Sequence, residues 1–512
     1  MTEKAYSKNI TKICGLLQTE PTPEVIQGLH EGFEDLSRQL RAGPFVEVFE
    51  ATLSSIPFSA LFSLLTAPDN RLITSVATVT GQLLKPVTWP MVHQTFEDHI
   101  VQGLAHPHHT VKTLVLNQFL KCEQSTEPFS PRYGPHIWKC LEGKGDNDVS
   151  RLARQVLVRL CGIGMALDNL LDDDSIVAVQ ELLDGDESQR FRAYDVVVAA
   201  ARLSDATFER LREKEIIDRL LKEGSAKDVL VVMNYYELVP GLCKSAVALE
   251  HLQTAGVFTK ALDLVRVTKA GTPAGGPLLQ LAAIKLFTRM VDVCGASADG
   301  FLEKHPIASE LAALATNPDT PANLRNSAVT SIGAIGSNPA ALKHLSTEKT
   351  TLAALATTYS GASGELKIEC LRAIACIFKH AAKSGGALSQ TCFELYEQLD
   401  DGEFLGGLVK EIKKGLEESC IAGLSVIQNM ASHAWGVREI ATHESAVELL
   451  LKREPQRVKA VQQWQFATIQ SIINAPQAKT EFDSDTLARL GKYVREGPFY
   501  VGAVPKVAVK TT

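Results

Sequence analysis

A stripe of apolar or small residues at positions i, i+4, i+8 and i+11 recurs along this 512-residue chain, each time after a polar or proline-containing turn. Leu324, Ala328, Ile332 and Ile335 carry it in its cleanest form. The same register fits Leu366, Cys370, Ile374 and Ile377, then Leu279, Ala283, Phe287 and Met290, and Leu416, Cys420, Leu424 and Ile427. It fits again at Val149, Ala153, Leu157 and Leu160, and at Val111, Val115 and Phe119. Such spacing places its members on one face of an α-helix. The openers His106-Pro107, Asp146-Asn147-Asp148, Asp186-Glu187-Ser188, Pro318 to Pro321 and Glu454-Pro455 return roughly every 38 to 50 residues, the period of helical repeats.

A helix with one wide apolar stripe cannot hide it alone, so successive units must bury their stripes on one another. The small residue at i+4, filled by Ala153, Ala193, Ala283, Ala328 and Cys370, fits a close crossing of neighbouring helices, where a larger side chain would hold the backbones apart. A second pattern follows each stripe: a Leu, a short polar or glycine break, then more apolar residues, as in Leu252, Gly256, Val257, Leu262 and Leu264 or Leu342, Leu345, Leu352 and Leu355. The expectation is an all-α, right-handed superhelical solenoid of about ten armadillo/HEAT-like repeats. It would form one continuous array over residues 1–512, with capping helices over 1–66, repeats over 67–475, and a cap and tail over 476–512. The β-branched runs Val196-Val197-Val198 and Val229 to Val232 lie in helical register without hairpin turns and read as helix interior. Ala270 to Pro277, Tyr359 to Gly364 and Gly385-Gly386 read as loops between repeats.

With 45% hydrophobic and 22% charged residues, the chain has ample material for a core. A single compact core stops growing near ~250 to 300 residues, which also favours an elongated array. A formal net charge of -7 and no dense Lys/Arg block disfavour nucleic acid as a partner. The ten cysteines lack CxxC spacing, which argues against a zinc site or a disulfide framework and reads as small hydrophobes in a reducing compartment. No run approaches the ~20 apolar residues that span a bilayer, and the first residues do not read as a signal peptide. A cytoplasmic protein, also at home in the nucleus, is expected.

The chemistry that sequence motifs announce is missing. Gly143-Lys144-Gly145 lacks the rest of a phosphate loop, and Gly162-Ile163-Gly164 closes a helical stripe and reads as its terminator. His106, His108 and His109 cluster at a repeat-opening turn without a Cys or carboxylate to complete a metal site. Asp168, Asp172, Asp173 and Asp174 precede a helix near Ser175, whose positive end accounts for them without an ion. No catalytic residue, metal or cofactor is expected, and the chain does not read as an enzyme.

In an armadillo-like array the helix bearing the stripe lines the concave side, with positions i+6 and i+10 pointing into the groove. Applied here, that register selects Asn117 and Lys121, Gln155 and Arg159, Lys285 and Arg289, and Thr330 and Arg372. The irregular unit near Val229 offers Tyr235 and Tyr236, a residue type that gives large contact area at low entropic cost. Several of the selected residues are basic, suggesting a face biased toward acidic partner surface.

Two strings go beyond generic repeats: Glu496-Gly497-Pro498-Phe499-Tyr500-Val501 near the end, and Gly103-Leu104-Ala105-His106-Pro107 followed by Thr110-Val111-Lys112. With the length and the register, they make the chain resemble the 26S proteasome non-ATPase regulatory subunit 5 family, chaperones for assembly of the regulatory-particle base. The resemblance implies a monomer that binds the carboxy-terminal domain of a regulatory-particle ATPase in an assembly precursor, and leaves the finished proteasome. The alternative is a generic armadillo scaffold, such as a transport receptor or a nucleotide-exchange factor for a heat-shock chaperone. Import receptors of that type carry a Trp/Asn ladder, which the tryptophans at 89, 138, 435 and 464 do not form.

Overall fold

The computed structural model describes residues 3–42, 44–123, 127–143, 147–266, 276–381, 386–454 and 456–500. Among them every regular element is a helix and none is a strand. The chain falls into two compact units, Met1–Glu223 and Gly224–Thr512.

In the first unit the striped helices form a row: α1 (Pro23–Ala42), α2 (Asn70–Leu84), α3 (His109–Phe119), α4 (Asn147–Cys161) and α5 (Glu187–Ala201), each packed on the next. A second layer, including Trp89–Ala105, Tyr133–Lys139 and Asp173–Leu183, packs alongside. The second unit repeats the plan with α6 (Val229–Leu242), α7 (Gly276–Cys294), α8 (Ala322–Gly336), α9 (Gly364–Ala381), α10 (Glu417–Met430), α11 (Lys459–Asn474) and α12 (Ser484–Glu496). Here Ile307–Thr316 packs on Thr350–Gly361, and Phe404–Lys413 on Glu444–Leu451. Two layers of helices in repeating order make an all-α solenoid of the armadillo/HEAT kind.

The stripe explains the row. Ala153, Ala193, Ala283, Ala328 and Cys370 are fully buried, as are Ile332, Phe287, Met290 and Leu157. Each large side chain hidden this way contributes ~1.5–3 kcal/mol. Crossing is tightest between α8 and α9, where a β-carbon on Gly333 would lie 2.5 Å from the Cα of Ala373.

The openers act as caps. Asp69 accepts hydrogen bonds from the Arg71 and Leu72 N–H groups, and Asp186 forms a reciprocal capping box with Gln189 at the start of α5. His108 caps α3 through the Thr110 N–H, while the His106 ring accepts from the His108 N–H. Asp172 caps Asp173–Leu183, with Asp173 and Asp174 in its first turn, so these carboxylates do sit at a positive helix end. Gly162 follows the last residue of α4, as a terminator should. Both valine runs are helical, within α5 and α6.

Some expectations need correction. Leu416 is not buried but 63% exposed, because α10 begins one residue later and leaves it as the N-cap. Cys376 is exposed although most of the other cysteines are buried; all ten are free thiols. Tyr359 to Gly364 is not a loop: one helix runs through Gly361, the next opens at Gly364, and Tyr359 is buried between them. Of the other two expected loops, Gly276 and Pro277 open α7 and Gly386 opens Gly386–Gln398, while 270–275 and Gly385 lie outside the described residues. So do Asp146, Lys144, Gly145 and Pro455.

Candidate partner-binding surface

The row helices hold the residues that the register selects. Asn117, Gln155, Lys285, Thr330 and Arg372, all at i+6, are exposed, as a stripe on the opposite face requires. What each does there differs between the units.

In the first unit the i+10 residues tie one repeat to the one before. The Lys121 ammonium donates to the carbonyls of Leu84 at 2.6 Å and Val87 at 3.0 Å, closing the end of α2. Arg159 repeats the move, its Nε donating to the Cys122 carbonyl at 3.4 Å and its Nη2 pairing with Glu123 at 3.2 Å. Lys121 is half-buried, and burial pulls its pKa down to about 8. Lysine in this place is thus a carbonyl cap, while Asn117 bonds back to the Thr113 carbonyl of its own helix.

In the second unit the basic residues are matched across the row. Arg289 on α7 pairs with Glu237 on α6. Glu369 on α9 accepts from the Thr330 hydroxyl of α8 at 3.1 Å and from Arg372 at 2.5 Å, and Arg372 also reaches Glu418 on α10 at 3.6 Å. Glu237 therefore stands against Arg289, and Glu369 and Glu418 stand against Arg372. The expected basic bias is cancelled locally, so acidity of the partner does not follow from this face.

Tyr235 and Tyr236 do not belong to the accessible set: they are 2% and 3% exposed. The reason is that α6 is apolar on nearly every side and is packed accordingly. Their rings lie 5.3 Å apart, Tyr235 fills the space left by Gly224, and burial raises both hydroxyl pKa values, that of Tyr236 to about 12. The residues that the register missed are the acidic ones. Two of them carry a usable signal: Glu369 stands three residues before Arg372 on α9, and Glu418 lies in the first turn of α10, next to the turn that opens it.

The two distinctive strings also find their places. Gly103 ends the Trp89–Ala105 helix against α3, where an added β-carbon would meet Val115 Cγ2 at 2.5 Å. At the other end, the Arg453 guanidinium lies 3.7 Å from the Tyr493 ring centroid and 5.3 Å from that of Tyr500. It donates to the carbonyls of Tyr493 and Gly497 and to the Glu496 carboxylate. Glu496-Gly497-Pro498-Phe499-Tyr500 is thereby held to the preceding repeat; Val501 lies outside the described residues.

Residues 24–512 match the family described as proteasome non-ATPase 26S subunit. The 26S proteasome non-ATPase regulatory subunit 5 of Bos taurus is 23% identical over 491 residues, covering 94% of this chain and 96% of that protein. The protein of the same name from Homo sapiens is 22% identical over 501 residues with the same coverage. Among solved structures, yeast importin-beta superposes with a TM-score of 0.56 at 10% identity, over 96% of this chain and 66% of that one. That likeness is one of fold.

Proposed function

This chain belongs to the proteasome non-ATPase 26S subunit family, and we propose on that footing that it is a non-catalytic chaperone of proteasome assembly. It binds an ATPase subunit of the regulatory-particle base, through that subunit's carboxy-terminal domain, and is released before the particle matures. The observation that carries this reading is the extent of the family match, which runs through the whole repeat array rather than one motif. The fold supports it, because solenoids present long faces suited to protein segments. Release calls for an interface of ordinary size, about 1,200 to 2,000 Å² in total. Cytoplasm, with access to the nucleus, is the compartment this role requires.

The test is affinity capture of the tagged full-length protein from cells, at low and moderate salt, with identification of the bound chains. Recovery of regulatory-particle ATPases without the proteolytic core supports the proposal. Recovery of the complete 26S particle, or of no ATPase at all, overturns it. Lys285→Glu probes the exposed face of α7 and is expected to weaken capture while leaving the thermal midpoint unchanged.

A further inference from the structure

A cavity of about 410 Å³ opens beside the last repeat, lined by Arg453, Arg457, Lys459, Tyr493, Phe499 and Tyr500 among others. That volume holds one or two side chains of a ligand. Its charge runs against that of the chain. Lys452 and Arg457 share Glu454, and Arg453 is matched by Glu496. Lys459 in the first turn of α11 adds a further cation, so the wall carries three cations, Arg453, Arg457 and Lys459, and one carboxylate, Glu454, in a protein whose formal net charge is -7. The amino terminus of α11 lies at this wall with no side chain capping it, and its dipole adds to the positive field. Phe499 and Tyr500, which also line it, are 48% and 45% exposed.

We propose that this cavity is a second docking point, taking an acidic peptide segment of a partner protein with an aromatic or aliphatic side chain beside its carboxylates. The cations supply charge complementarity, and the aromatic rim supplies the apolar contact. The side chains of 501–512 do not supply that chemistry: they include Lys506 and Lys510 and no Asp or Glu. Nothing in this assignment depends on the ATPase reading, and the two fail separately.

Fluorescence anisotropy with the full-length protein tests it, using a fluorescein-labelled hexapeptide of Glu and Asp around one Phe, and a Lys-for-acid counterpart. Saturable binding of the acidic peptide is expected, weakened at least about tenfold in both Lys459→Glu and Phe499→Ser, with unchanged thermal midpoints because both side chains are exposed. Absence of saturable binding overturns the proposal, as does equal binding of the Lys peptide. A loss confined to one of the two variants also overturns it, since it leaves either a plain anion site or a plain apolar patch.

Discussion

Gly333 shows how little room the α8–α9 crossing leaves. Any side chain there must push Ala373 and its backbone away, and overpacking of this kind costs ~1–3 kcal/mol. Gly333→Val is expected to lower the thermal midpoint measured by calorimetry, whereas Gly361→Ala, where an added methyl meets nothing within 4 Å, is expected to leave it almost unchanged. Lys121 gives a prediction with a sign. Its folded pKa lies near 8 against an ordinary 10.5, so between those values the unfolded chain binds the extra proton and stability rises with pH. The penalty is complete below pH 8 and is relieved as the pH climbs toward 10.5. Lys121→Met carries no such penalty but leaves the Leu84 and Val87 carbonyls unpaired, at ~1–3 kcal/mol. The two effects oppose each other at pH 7, and the variant's melting temperature should fall relative to wild type as the pH is raised from 7 to 10.

Helices and their ends were the part most legible in advance, because period and capping are local properties. Ala283, Ala328 and Cys370 are buried where the register put them, and Asp186 caps where an opener was expected. Leu416 departs from the pattern because the stripe does not reveal whether its first member falls inside the helix or one position ahead. The surface was harder to read. Arg289, Arg372 and Arg159 are exposed, but Glu237, Glu418 and Glu123 reach them from a neighbouring repeat, and no pattern within one helix announces those three; Glu369, three residues before Arg372 on α9, is the exception. Tyr235 and Tyr236 fail for a related reason, since contact from a second side is invisible to a one-face rule. The Arg453 tie makes its own prediction. Arg453→Met removes the hydrogen bonds to Tyr493, Gly497 and Glu496, and amide exchange in the last turn of α12 should accelerate while that in α8 and α9 stays protected.

Across the molecule, the stacking of like units means that disruption spreads to neighbours rather than through one central core. Acid should expose this in the second unit. His305 lies among Phe258, Phe287 and Phe301, and burial lowers its pKa. The unfolded chain then takes up the proton first as pH falls below the ordinary 6.5, so stability declines on acidification. His305→Phe should flatten the melting temperature between pH 7 and pH 5 relative to wild type.

The matched pairs of Glu237 with Arg289 and of Glu369 and Glu418 with Arg372 have a kinetic corollary. A patch whose opposite signs sit within a few ångströms of each other projects almost no field beyond a Debye length of ~8 Å at physiological ionic strength, so it cannot draw a client in from a distance. Encounters at that face should proceed at the unsteered rate, ~10⁵ to 10⁶ M⁻¹s⁻¹, and adding sodium chloride should leave stopped-flow association there nearly flat.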